Sequence, residues 1–152
     1  MADGSNTVKV DASDYDGNAA TQKSVTFIVD TVPPTLSVTA PANNLVTNQA
    51  ACTVTGVTND ATSSPCTVTV KLNSGAAQAV TVGEDGTFSK ALTLVAGSNT
   101  ITVVSTDSAG KSSTVTRTVT LDQVAPTIKS VTITPNPVDA GKTYVISVEV
   151  TD

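Results

Sequence analysis

The sequence predicts an all-β chain of sandwich units set in tandem, and three observations carry that prediction. Short segments alternate apolar with polar residues, as in TVKV, VTFIV, CTVTVKL, NTITVV, STVTRTVTL and VISVEV, and a period of two sends successive side chains to opposite faces of a strand. Turn-forming clusters punctuate them: NSG at 73–75, EDG at 84–86 and DSAG at 107–110, where Asp-Gly in particular suits the positive φ of a tight hairpin. Finally, one phrase occurs twice, GSNTVKVDASDYDGN at 4–18 and GSNTITVVSTDSAGK at 97–111. No stretch holds the apolar period of a helix.

The second copy sets the unit length. Gly4 aligns with Gly97 and Asp30 with Asp122, in DTVPPTL against DQVAPTI, a period of 92 to 93 residues. That length suits a seven-stranded immunoglobulin-like sandwich. Boundaries fall at the proline-bearing segments TVPPT and QVAPT, because proline stiffens a junction and donates nothing to a ladder. The chain divides accordingly into the last two strands of one unit at 1–31, a complete unit at 32–123, and the first two strands of another at 124–152.

Within the complete unit the alternation places strands near 35–40, 51–58, 66–72, 78–82, 87–94, 99–106 and 113–121. Parity turns Val54, Val68, Val70, Ile101, Val103, Val115 and Val119 inward and leaves the intervening threonines outside. Phe27 and Phe88 take strand positions expected to be core. Cys52 and Cys66 share the apolar parity of their strands, which leaves two readings open. They are either a disulfide, as a lone pair of cysteines in an exported β protein suggests, or two buried thiols. If the strands run antiparallel, the two lie at opposite ends, and a bridge needs Cα atoms within about 7 Å.

Composition excludes several functions. Hydrophobic residues make up 39% of the 152, while His and Trp are absent. The chain thus lacks the commonest general base and transition-metal ligand. The net charge is −5, and the eight cationic residues are scattered, which opposes binding to nucleic acid or anionic lipid. No apolar run reaches the roughly 18 residues of a membrane span, and no signal peptide follows Met1; if the protein is exported, its targeting signal is expected outside this stretch.

The phrases VTAPANNLVTNQ, VTGVTND and GEDGTFSKALTLVAGSNTITVVSTDSAGKSSTVTRTVTL resemble the bacterial immunoglobulin-like repeats of surface proteins, including the type similar to domain B of glucodextranase. Asp-Gly-x-Phe, Gly-x-Asn-x-Ile and Asp-x-Ala-Gly carry the resemblance. It implies an extracellular or cell-surface chain serving as spacer, adhesin stalk or filament scaffold, or as an accessory module of a polysaccharide enzyme. It is silent on ligand. The segment SVTITPNPVDAGKTYVISVEVTD departs from the opening of the complete unit and resembles a related subtype.

Chemistry-bearing constellations are few. Asp14, Asp16 and Asn18 alternate in a hairpin loop after Asp11, and hard oxygen ligands suit calcium. An EF-hand is excluded, because the glycine follows Asp16 directly and the twelfth residue is Val25. A second calcium reading uses the unit junctions, where Asp30, Asp60, Asp122 and Asp152 lie at strand ends. Turn chemistry, in which Asp and Asn bond their own backbone, is the reading favoured over both. No other cofactor is implied. No catalytic set is found: without His, only Lys or a carboxylate is left to activate a serine, and Lys9 and Lys71 stand between inward valines and so face out. That placement also opposes an internal Lys-Asn isopeptide link. Glu84 and Asp85 are adjacent in a turn rather than opposed across a cleft as glycoside hydrolysis requires. Tyr15 alone is expected as an exposed ring, a weak platform for sugar. The expected partners are neighbouring units or other copies of the chain, head to tail.

Overall fold

Residues 1–137 and 139–152 are described by a computed structural model. Among them lie twelve strands and no helix: β1 (Gly4–Val10), β2 (Lys23–Val29), β3 (Thr35–Ala40), β4 (Leu45–Thr47), β5 (Ala51–Asn59), β6 (Thr67–Leu72), β7 (Gln78–Val80), β8 (Thr87–Thr93), β9 (Gly97–Thr106), β10 (Ser112–Leu121), β11 (Thr127–Thr134) and β12 (Val145–Thr151). No helix is therefore long and apolar enough to cross a membrane.

β3 to β10 form an immunoglobulin-like sandwich. One sheet has the order β3-β5-β8 and the other β4-β10-β9-β6-β7. Neighbours pair antiparallel except β4 and β10, which run parallel, Leu45 opposite Val119 and Thr47 opposite Leu121. The seven expected strands are all present. β4 is an addition, and it carries the chain from the edge of one sheet to the edge of the other. Its three residues are too few to show an alternation, and the turn before it is set by Asn44 at φ +62°.

Val38, Val54, Phe88 and Leu92 from the smaller sheet meet Val68, Val70, Ile101, Val103, Val119 and Leu121 from the larger one. Burial of each such side chain contributes about 1.5–3 kcal/mol. Val115 is only half-buried. Gly56 lies opposite Phe88 on β8. A Cβ there would sit 2.3 Å from the Ser37 carbonyl oxygen and 2.4 Å from Phe88 Cζ, so the missing side chain is what admits the ring.

Polar groups close both ends of this core. Asn99 is fully buried at one end: Oδ1 accepts from the Val95 amide at 2.9 Å, and Nδ2 donates to the carbonyls of Val95 and Gly97 at 2.7 and 2.9 Å. At the other end the Thr58 and Ser105 hydroxyls bond across the two sheets at 2.6 Å.

The β1–β2 hairpin repeats the register of β9–β10 and several of its side-chain bonds. Gly4 pairs with Val29 as Gly97 pairs with Leu121. Asn6 Nδ2 donates to the carbonyls of Ala2 and Gly4 at 2.7 and 2.9 Å, as Asn99 does 93 positions later. Asp14 Oδ1 accepts from the amides of Asp16 and Asn18, and Asp107 Oδ1 from those of Ala109 and Lys111. β11–β12 likewise opens in the register of β3–β5, Thr127 opposite Thr151 and Thr35 opposite Asn59. Burial differs sharply: Ile101 is fully buried, whereas Val8 at the matching place is 50% exposed. Phe27, expected to be core, is only half-buried, because among the described residues no second sheet packs on the apolar face of the β1–β2 hairpin.

Candidate functional site

The inward parity of two strands leads to one pole of the sandwich. On β5 it runs Val54, Gly56, Thr58 and then Asp60. On β9 it runs Ile101, Val103, Ser105 and then Asp107. All are buried. The Thr58–Ser105 bond is the last neutral rung, and the two aspartates stand one rung beyond it. Asp30 arrives at the same pole from the segment after β2. One carboxylate oxygen from each of Asp30, Asp60 and Asp107 lies within 4.8 Å of the others.

Local turns hold these carboxylates. Asp60 Oδ1 accepts from the amides of Thr62 and Ser63, both at 2.8 Å, and these bonds, Ser63's first, keep its carboxyl below the ordinary value of 3.8. Asp30 Oδ1 accepts from the Val32 amide at 3.0 Å, and its Oδ2 accepts from the Ser63 hydroxyl. The Ser63 carbonyl in turn accepts from the Ser108 amide at 3.0 Å and hydroxyl at 2.9 Å, which ties the loop after β5 to the turn after β9. Asp107 Oδ1 accepts from Ala109 and Lys111 at 2.8 and 2.9 Å. Its Oδ2 is buried without a hydrogen-bond partner among the described residues, and Asp107 as a whole is only 6% exposed. Burying a carboxylate oxygen unpaired is costly.

The other candidate residues are dispersed. Asp14 is consumed by its own turn: its oxygens take the amides of Asp16 and Asn18 and the Asn18 side-chain amide. The Asn18 side chain is the main cause of its lowered pKa. Asp16 is exposed, and Asp122 accepts from the Val124 amide as Asp30 does from Val32. Asp152 is exposed beyond β12. Asp85 accepts from the Thr87 hydroxyl at 2.7 Å and amide at 3.0 Å, so with Glu84 it shapes the turn that borders a groove of about 400 Å³ lined also by Asn59, Pro65, Cys66 and Val82. Tyr15 is fully exposed.

Both cysteines are free thiols, Cys66 buried and Cys52 half-buried with its pKa raised by that burial. The disulfide reading is thereby corrected. Cys52 begins β5, whereas Cys66 follows the loop at the far end of that strand, about 20 Å away at roughly 3.3 Å per residue.

Sequence reasoning placed Asp30 and Asp60 at a junction but read Asp107 as a turn residue. Extending the inward parity of β9 past Ser105 would have found it.

The family model for glucodextranase, domain B, matches residues 34–123, more than half of the chain. The chain belongs to this family. No curated protein matches it. Among solved structures, the fibronectin(III)-like modules of Clostridium thermocellum CbhA align at 20% identity with a TM-score of 0.49, over 80% of this chain and 64% of that one. A crystal structure of an engineered protein aligns at 19% identity and 0.46, over 63% and 22%. The chain thus spans less than two thirds of either.

Proposed function

We propose that the chain is a non-catalytic structural segment of a bacterial extracellular protein built from tandem immunoglobulin-like units, acting as stalk, spacer, adhesin or filament scaffold. The observation that carries this reading is the recurrence of one hairpin, with the same side-chain hydrogen bonds, 93 positions apart. Such recurrence is how a repeat array is written, each unit burying its own core. The apolar faces of β1–β2 and β11–β12 support it too. Val8, Val10 and Phe27 match Ile101, Val103 and Val119, which are fully buried in the sandwich, so strands of a neighbouring unit are their fitting cover.

The family's namesake, a glucodextranase, favours a second reading, an accessory module of a secreted polysaccharide enzyme. Affinity electrophoresis through gels containing dextran or other glucans separates the two. Unretarded migration is expected, and retardation by a glucan transfers the case to the accessory module. Light scattering at high concentration then distinguishes a spacer, which stays monomeric, from a scaffold whose copies join head to tail.

A further inference from the structure

We propose that Asp30, Asp60 and Asp107 bind one calcium ion, which fastens the segment following β2 to the pole of the sandwich. The donors are all hard carboxylate oxygens, with no His or Cys in the set, which selects against zinc and copper and for calcium or magnesium. Calcium sits about 2.3–2.6 Å from each ligand. Opposed ligands in its shell are therefore about 5 Å apart, and the 4.8 Å that bounds these three oxygens falls within that width. Magnesium, at about 2.0–2.1 Å, demands near-ideal octahedral geometry and keeps several waters, which carboxylates already held by their own turns suit less well than they suit calcium's flexible shell.

An acidic cluster alone would prove little, since aspartates crowd turns for other reasons. The decisive atom is Asp107 Oδ2. Oδ1 of the same carboxylate already completes its turn, yet Oδ2 is buried and no donor among the described residues reaches it, in a carboxylate that clusters with two others. A cation at the centre of the three satisfies that oxygen and offsets their mutual repulsion at once. The Ser63 hydroxyl, bonded to Asp30 Oδ2 and 3.4 Å from Asp60 Oδ1, links two of the three ligands.

The positions recur. Asp122 and Asp152 follow Asp30 and Asp60 by 92 residues each, and Asp14 precedes Asp107 by 93. Asp14 and Asp122 repeat the turn bonds of their counterparts. On the array reading proposed above, each junction holds one ion; the site at Asp30, Asp60 and Asp107 does not depend on that reading, and a retarded band in a glucan gel would leave it intact.

The test is isothermal titration of the chelator-stripped 152-residue chain with calcium chloride, alongside melting in calcium and in EDTA. One site per chain is expected, with Kd in the range of about 10⁻⁴–10⁻³ M usual for extracellular modules, a melting temperature raised by calcium, and magnesium at least tenfold weaker. Asp107→Asn keeps an oxygen for the Ala109 and Lys111 amides but removes the charge, and it should weaken binding at least tenfold. Asp30→Asn lies outside the sandwich core, so it carries the same expectation even if Asp107→Asn folds poorly. Asp14→Asn should bind as the parent does. The proposal is overturned by the absence of both heat and thermal shift at 10-fold the upper Kd, by undiminished binding in Asp30→Asn, or by loss of binding in Asp14→Asn.

Discussion

Gly56→Ala asks how closely the two strands flanking β5 approach it. The added Cβ would lie 2.3 Å from the Ser37 carbonyl oxygen on β3 and 2.4 Å from Phe88 Cζ on β8. Neither neighbour gives way easily, because one is backbone in a paired strand and the other a ring only 4% exposed. Overpacking of this kind costs about 1–3 kcal/mol, and two contacts this short place it near the upper end. Replacing glycine also restricts the unfolded chain, which returns about 0.4–1 kcal/mol. The net destabilisation is then about 2 kcal/mol. At about 4–8 °C per kcal/mol for a domain of this size, the melting temperature followed by circular dichroism should fall by about 8–16 °C. Phe88→Leu removes the ring contact but leaves the carbonyl contact, so the double variant should show partial rescue, a coupling of about 1 kcal/mol. A melting temperature within about 2 °C of the parent, or strict additivity of the two changes, would refute the close approach.

Asn99→Ala removes a fully buried side chain and strips partners from the Val95 amide and from two carbonyls, and should cost about 2–3 kcal/mol in urea unfolding, whereas Asn6→Ala, at the half-buried counterpart, should cost under about 1 kcal/mol. Thr58→Val removes the hydroxyl that bonds both the Ser105 hydroxyl and the Thr35 carbonyl and should cost more, by about 1 kcal/mol, than Ser105→Ala, after which Thr58 keeps its bond to Thr35. The Asp85 pKa lies below its ordinary 3.8, chiefly through the Thr87 hydroxyl. The stability it contributes is therefore fully present above that value and lost as pH falls through the lower folded one. In EDTA, melting temperature should be level from pH 8 to about 5 and drop below about 4, with a shallower drop in Asp85→Asn. Intact mass should be the same before and after reduction, and denaturation should expose both Cys52 and Cys66 to alkylation; a gain of about 2 Da on reduction would restore the disulfide.

Most of the sandwich was legible because its strands are long enough to alternate. Six residues of TVTVKL or ten of SSTVTRTVTL state which side faces in, and Val54, Val68, Val70, Ile101, Val103 and Val119 are buried as parity requires. β4 was not legible, since three residues carry no period and its partner is a parallel strand more than 70 positions away. The pole was read only by halves. Asp30 and Asp60 stood out as strand-end acids, but Asp107 serves a turn through one oxygen, and that sufficient explanation concealed the other oxygen. For the cysteines, parity alone left a disulfide open, because parity reports the face of a strand and says nothing of position along it; the placement at opposite ends is what the structure has, with both thiols free. Phe27 shows the remaining limit: an inward direction becomes burial only where a second sheet is present to receive it.

The parallel pair of β4 and β10 has a mechanical consequence. The chain enters the sandwich through β3 and β4 and leaves it through β10, so a tug on both ends drags β4 and β10 past each other along their length. Their ladder, extended by the Asn44 amide on the Thr118 carbonyl at 2.8 Å and the Asp122 amide on the Thr47 carbonyl at 2.9 Å, meets that drag as shear. All of its bonds must then give way together rather than peel apart one by one, which makes a three-residue strand the latch against tension for the unit.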